Sequence, residues 1–465
     1  MRRTVALTSA LLLTALLTAS AADRPNIIVI LADDLGYADI GAHGAGDIHT
    51  PNIDRLAASG VLCTDGYVTH PFCSPTRAAL VTGRYQQRFG NECNPQYDPL
   101  NPFLGLRRGE RTIADRLKAA GYVCGVIGKW HLGAASPFHP LRRGFDYFFG
   151  FLGGGHDYFR VDLRRPLGGG YFLPLEENGR PLTLDGYLTD VLSDAAVRFI
   201  ERHAERPYFL YVAYNAPHTP LQAPQAYIRR YASIADPKRR VYAAMVTAMD
   251  AGIGRILEAL ERTHQLERTL VFFLSDNGGI PRTSGSSNGP LRGTKGMLYE
   301  GGIRVPFLVS WPERLPKGRR YAEPVSSLDI AATAAAVAGL DAKAAAGLEG
   351  INLVPYLSGE RQEPPQRALF WRADGGTRWA VRKGRWKLVK PAANEAVELY
   401  DLQEDIAEAN DLAKQKPEVV DRLRALYQAW NKHNIPPRFP NPQPYRKRLL
   451  QLYEAIDRGA TIASP

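Results

Sequence analysis

Cysteine is scarce, with four residues in a chain of 465, too few for disulfides to hold a protein of this length together. No second long apolar run follows the N-terminus, which excludes a multi-span membrane protein. There is no internal repeat and no block of like charge. The formal charge of +11 is spread along the chain; it suits an anionic partner but selects no function, and no nucleic-acid partner is expected. What is present is the composition of a folded protein, 45% apolar, 23% charged and 10% aromatic, with room for about two to three domains.

Residues 1–22 read as an export signal. Met1-Arg2-Arg3 is a basic start, Val5 to Ala19 is apolar but for Thr and Ser, and Ser20-Ala21-Ala22 supplies small residues for cleavage. The run is short for a membrane span, and no cysteine marks a lipid anchor. A mature chain without a membrane anchor, periplasmic or secreted, is expected.

Beyond this segment, Asn26–Ala32 is a continuous apolar run ending at Asp33-Asp34, the pattern of a strand buried on both faces. Similar runs recur at Val123–Ile127, Tyr208–Tyr214, Thr269–Leu274 and Val305–Trp311. Helical patterns alternate with them at Ile53–Ser59, Thr112–Ala120, Leu188–His203, Val241–Arg262 and Leu328–Ala338. Such alternation predicts an α/β fold over about 23–360, a large mainly parallel sheet sandwiched by helices. After Gly359 short alternating segments at Phe370–Arg372, Trp379–Val381 and Trp386–Val389 predict a smaller antiparallel sheet, followed by a helix over Pro417–Lys432. Residues 361–465 are therefore read as a second unit. Gly150–Gly170 reads as a loop over the strand ends.

Ligands of parallel sheets collect where the strands end, so the polar residues there carry the functional reading. Cys73-Ser-Pro75-Thr-Arg77 opens a helix that Gly83 would close. Cys73 would sit at the positive end of the helix dipole, with Arg77 one turn on to neutralise an anion; a buried structural thiol is the alternative. Asp33-Asp34 and Asp276-Asn277 each follow a strand. Together they offer oxygen ligands to a hard cation such as Ca²⁺ or Mg²⁺, although one Asp pair alone is often only a cap or turn. Lys129 and His131 follow a third strand, His218 a fourth, and Lys295 lies in a glycine-flanked loop. A single such His or Lys is ordinarily solvated. Several on one sheet edge suit an oxyanion and proton transfer.

At these residues the chain resembles the type I sulfatases of the alkaline phosphatase superfamily. The resemblance runs from Asp33-Asp34 through Cys73–Arg84, Gly128–Gly133, Gly144–Asp146, Pro217-His218 and Asp276-Asn277 to Lys295, and Glu398–Leu412 is similar to the family's C-terminal subdomain. Thr76 replaces a commoner Ser and keeps the hydroxyl. The resemblance implies that a separate maturation enzyme oxidises Cys73 to formylglycine, whose hydrate is the nucleophile. It implies one Ca²⁺ on Asp33, Asp34, Asp276 and Asn277, touching the residue at Cys73. Arg77, Lys129 and Lys295 would balance charge around a sulfate ester, while His131 and His218 would handle protons. His156 stands where some members contact sulfate, or is an ordinary loop histidine. Two other readings stay open here: a phosphate or phosphonate ester hydrolase, and an unmatured protein that only binds sulfated glycans. Tyr158, Phe159, Tyr171 and Phe172 suit a sugar platform or simple packing. A Cys63–Cys93 disulfide is conceivable, with Cys124 a core thiol.

Overall fold

The computed structural model describes residues 24–161 and 174–440. The segment read as an export signal, residues 162–173 with Tyr171 and Phe172, and the basic tail lie outside the described residues. Among the described residues no helix is long and apolar enough to cross a membrane.

The large sheet is built from β1 (Asn26–Ala32), β2 (Val61–Cys63), β4 (Val123–Lys129), β5 (Tyr147–Phe151), β6 (Leu175–Glu177), β7 (Arg180–Leu182), β8 (Tyr208–Ala213), β9 (Thr269–Ser275), β10 (Phe307–Ser310) and β11 (Arg319–Tyr321). A separate short pair joins β3 (Gly66–Tyr67) to β12 (Val325–Ser326). The ten strands lie in the order β11-β2-β10-β9-β1-β8-β4-β5-β6-β7. β9, β1, β8, β4 and β5 run parallel as the centre. The alternating side chains of β1 explain its unbroken apolar run. Ile28, Ile30 and Ala32 enter one core with the helices Leu188–Arg202 and Pro237–Arg262. Ile27, Val29 and Leu31 enter another with Cys73–Thr82, Ile113–Lys118 and Leu328–Val337. Both faces are covered, as a parallel sheet requires.

Two sequence expectations need correction. β10, from the apolar run Val305–Trp311, is antiparallel to both β9 and β2, a direction that a continuous apolar run does not encode. Gly150 and Phe151, read as the start of a loop, are the last residues of β5, where Gly150 pairs with Gly128.

The second sheet consists of β13 (Ala368–Ala373), β14 (Arg378–Lys383), β15 (Trp386–Lys390) and β16 (Glu398–Asp401), antiparallel in that order. Each of its strands buries at least three consecutive residues, among them Leu399, Tyr400 and Asp401 of β16, so the simple alternation expected from the sequence is not kept. The helix Pro417–Asn431 packs on this sheet through Val420, Leu423, Tyr427 and Trp430. All four cysteines are free, buried thiols, so Cys63 and Cys93 are not joined. Cys63 ends β2 within the large core, whereas Cys93 lies by Glu92 and Asp374.

Candidate active site

Four neighbouring parallel strands deliver the candidate residues to one edge. Asp276-Asn277 follows β9, Asp33-Asp34 follows β1, Asn215 to His218 follows β8, and Lys129 to His131 lies at the end of β4. The helix Cys73–Thr82 brings Cys73 to the same place as its first residue, with Phe72 as the extended N-cap. Pro75 suits this first turn. Gly83 closes the helix in the left-handed region at φ 66°, where a β-carbon would also collide with Leu348 and Ala331. The Ser74 amide donates to Asn94 Oδ1 at 3.0 Å, filling one orphan donor of the helix start. Asn94 was not legible as a site residue, since it sits in no motif.

Cys73 Sγ lies 3.5 Å from Asp33 Oδ1 and 3.2 Å from Lys295 Nζ. Burial, then the Asp276 charge, push its thiol up to about 12, so the unmodified cysteine stays protonated at neutral pH. Arg77 is wholly buried. It donates to Asp276 Oδ2 from Nε and from the second terminal nitrogen at 3.0 and 2.8 Å, and to the Lys129 carbonyl at 2.9 Å. Lys129 donates to Asp33 Oδ2. Lys295 donates to Asp34 Oδ1 at 2.6 Å. Burial opposes its charge, but Asp34 and the other anions hold its ammonium well above the ordinary lysine range.

The acids respond unequally. Burial would raise Asp34, but Lys295 and His218 hold its carboxyl below the usual carboxylate range. Burial and the nearby Asp33 push Asp276 up. Three carboxylates face three permanent cations. The ligand atoms of Asp33, Asp34, Cys73 and His218 lie within 4.8 Å of one another. Asn277 Nδ2 donates to Asp34 Oδ1 at 2.7 Å, leaving its Oδ1 buried and unpartnered. Carboxylates and an orphaned amide oxygen around one point fit a hard divalent ion. Such an ion would leave the cluster positive enough to attract an anion. His218 joins this group more directly than the sequence implied, while Asp276 is occupied on one oxygen by Arg77.

The two histidines are held differently. His218 Nδ1 lies 2.6 Å from the Thr219 carbonyl, and Nε2 lies 3.7 Å from Asp34 Oδ2. That carbonyl fixes the ring proton on Nδ1 and turns the other nitrogen to the site. Burial pushes the imidazole down to about 3, against Asp34. His131 has left-handed backbone at φ 57°, as does Asp34 at φ 64°; strain of this kind survives where function needs it. Burial, then Lys129, Arg77 and Lys295, hold His131 well below its ordinary value. A β-carbon at Gly154 would come within 2.6 Å of His131 Nε2, so any larger residue there would have to displace the imidazole. His156 is buried beside this loop, with Nδ1 2.5 Å from the Asp157 carbonyl and its own carbonyl accepting from Asn215. Tyr158 is a packing residue: it is fully buried, stacked on Tyr187, and donates to the His218 carbonyl at 2.8 Å. Phe159 is 42% exposed and rests against Tyr187.

Comparison with known proteins returns one consistent family. The model described as "Sulfatase" matches residues 25–340, and that described as "N-sulphoglucosamine sulphohydrolase, C-terminal" matches 294–432. The chain is 36% identical to the N-acetylgalactosamine-6-sulfatase of Canis lupus familiaris over 79% of this chain and 72% of that protein. It is 33% identical to arylsulfatase J of Mus musculus over 90% and 78% of the two chains. Among solved structures, Ps i-CgsB in complex with k-i-k-neocarrahexaose superposes with a TM-score of 0.85 at 37% identity, covering 93% of this chain and 98% of that one. The phosphonate monoester hydrolase of Agrobacterium radiobacter, at 22% identity and a TM-score of 0.65 over 88% of this chain and 96% of that one, shares the fold.

Proposed function

The chain belongs to the sulfatase family of the alkaline phosphatase superfamily and is a sulfuric ester hydrolase, and from that premise we propose that it removes sulfate from a sulfated carbohydrate outside the cytoplasm. The reading takes Cys73 as the site of formylglycine, made by a maturation enzyme, and Asp33, Asp34, Asp276 and Asn277 as the holders of Ca²⁺, or of Mg²⁺. The observation that carries it is Cys73 at a buried helix start, between the Asp33 carboxylate and the Lys295 ammonium. A relative named N-acetylgalactosamine-6-sulfatase, and the k-i-k-neocarrahexaose bound by Ps i-CgsB, support the carbohydrate. The segment Met1–Ala22 supports export.

When present, formylglycine supplies an aldehyde hydrate with two hydroxyls on one carbon, and the cation withdraws charge from sulfate oxygens. The remaining work falls to this chain's own side chains. Arg77 neutralises Asp276 and buttresses the Lys129 backbone. Lys129 and Lys295 place ammonium groups against the carboxylates at the anion's position, a preorganised field that water could not provide. His218, its Nδ1 proton tied to Thr219, presents Nε2 for proton exchange with the leaving oxygen. His131, just beyond the neighbouring strand β4, serves the nucleophile's hydroxyl. Domain 23–360 thus carries the chemistry and 361–465 supports it.

The test is a screen of matured protein against sulfated mono- and oligosaccharides, each paired with its phosphate analogue. Sulfate release from at least one sulfated sugar is expected, with the peptide containing Cys73 lighter by the thiol-to-aldehyde exchange. Faster turnover of the phosphate partner, or full activity with an unmodified thiol, would sink the reading.

A further inference from the structure

Lys295 reaches the site from a loop between β9 and β10, and its four-carbon stem does not by itself fix where the ammonium lies. Its neighbour Gly296 is clamped on both sides. The Gly296 amide donates to the Pro71 carbonyl at 2.9 Å, in the segment leading into Cys73. The Gly296 carbonyl accepts from the Arg378 guanidinium at 2.6 Å. Arg378 is the first residue of β14, in the second sheet, and its Nε is held by Asp374 Oδ2 at 2.5 Å. Asp374 opens the β13–β14 turn with left-handed backbone at φ 51°, a conformation that costs free energy for a residue other than glycine. A strained turn therefore aims Asp374 at Arg378, and Arg378 at the residue beside Lys295.

We propose that Arg378 is a positioning residue for the reaction: the second sheet sets the reach of Lys295 by fixing the Gly296 carbonyl while Pro71 fixes its amide. The proposal rests on the place of Lys295 in the sulfate site argued above. A purely structural role fits poorly. Arg378 is 22% exposed, so truncating it opens no deep cavity, and an exposed i,i+4 ion pair such as Arg378–Asp374 contributes little stability.

The experiment measures kcat and KM with an activated aryl sulfate, together with thermal unfolding, for Arg378→Ala, Arg378→Lys, Lys295→Ala and the double variant Arg378→Ala/Lys295→Ala. Misplacing a catalytic group by about 1 Å costs on the order of 100-fold. Arg378→Ala should therefore lose about 10–100-fold in kcat with an unfolding temperature close to the parent's, and Arg378→Lys, which keeps a donor for the carbonyl, should recover most of the loss. In the Lys295→Ala background Arg378→Ala should cost nothing further, since the group it positions is gone. A full additional loss in the double variant, or a parental rate in Arg378→Ala beside a slow Lys295→Ala, overturns the positioning role alone. A parental rate in Lys295→Ala overturns the reading of the site as well.

Discussion

Buried charge gathers at the strand ends and again at the seam between the sheets. At the seam, the Lys387 ammonium from β15 sits 2.8 Å from both Glu300 Oε1 and Glu408 Oε1. Glu408 Oε2 accepts from the Glu300 amide at 2.7 Å. Asp65 pairs with Arg304 at 2.8 Å and with Arg382 at 2.7 Å, and Tyr67 bridges Glu300 to Arg382. Burial and carboxylate–cation contact are equal in the two places. Left-handed backbone does not separate them either, for Glu408 has φ 52°. The difference lies in the other groups. The strand-end cluster adds a thiol, two imidazoles and an orphaned amide oxygen, while the seam adds to its ion pairs only the bridging Tyr67 hydroxyl and the Glu300 amide. Buried charge alone therefore marks no site; unspent, chemically competent atoms beside it do.

The contrast is sharpest at Cys73. Cys73→Ala should remove turnover, by roughly 10⁴-fold or more as for loss of a nucleophile, and leave the unfolding temperature nearly unchanged. Loss of folding with loss of activity would put Cys73 in the structural class of Lys387. Removing bound metal should likewise abolish turnover, with Ca²⁺ or Mg²⁺ restoring it better than Zn²⁺ because the donors are oxygens. Activity that survives chelation, with metal absent by elemental analysis, contradicts the assignment. His131→Ala and His218→Ala should each slow turnover by about 10²–10⁴-fold, the usual worth of general acid–base help, again with little change in stability.

Lys387→Met should behave in the opposite sense. It strands Glu408 without a counterion, leaves Glu300 only its arginine neighbours, and should cost about 3–5 kcal/mol of stability, read by urea unfolding. The fraction that stays folded should still bind the metal. The smallest expected effect is a pH slope. Burial, only partly opposed by Lys387, raises the Glu408 carboxyl from its ordinary 4.5 to about 7. The folded protein then keeps a proton that the unfolded chain releases, so this group's contribution to stability falls as pH rises from about 4.5 to 7. Glu300, held near 2 because Lys387 and the two arginines outweigh burial, loses its contribution only as pH falls below about 4.5. Glu408→Gln should therefore gain stability relative to the parent between pH 4.5 and 7. Parallel pH profiles for the two proteins would show that burial does not raise the Glu408 carboxyl.

Much of this was legible from residue order. Continuous apolar runs ending in Asp33-Asp34 and Asp276-Asn277 mark doubly covered strands and what lies at their ends, because a parallel strand must be apolar on both faces and can turn polar only where it leaves the sheet. The Cys73–Gly83 stretch carried its own helix start and stop. Short strands such as β2, β6 and β7 were not legible, since three residues make no period, nor was the antiparallel run of β10. Direction comes from the partner strand, not from the segment.

Local sequence thus determined the long central strands, which side chains stand at their ends, and that a thiol opens a helix. Only the tertiary structure decided that four strand ends adjoin, that Asn94 caps the Cys73 helix, that Tyr158 is packing and that Arg378 touches Gly296. These are contacts between residues tens to hundreds of positions apart. They arise from burying both faces of one sheet and docking a second against it, and no local pattern of polarity encodes them.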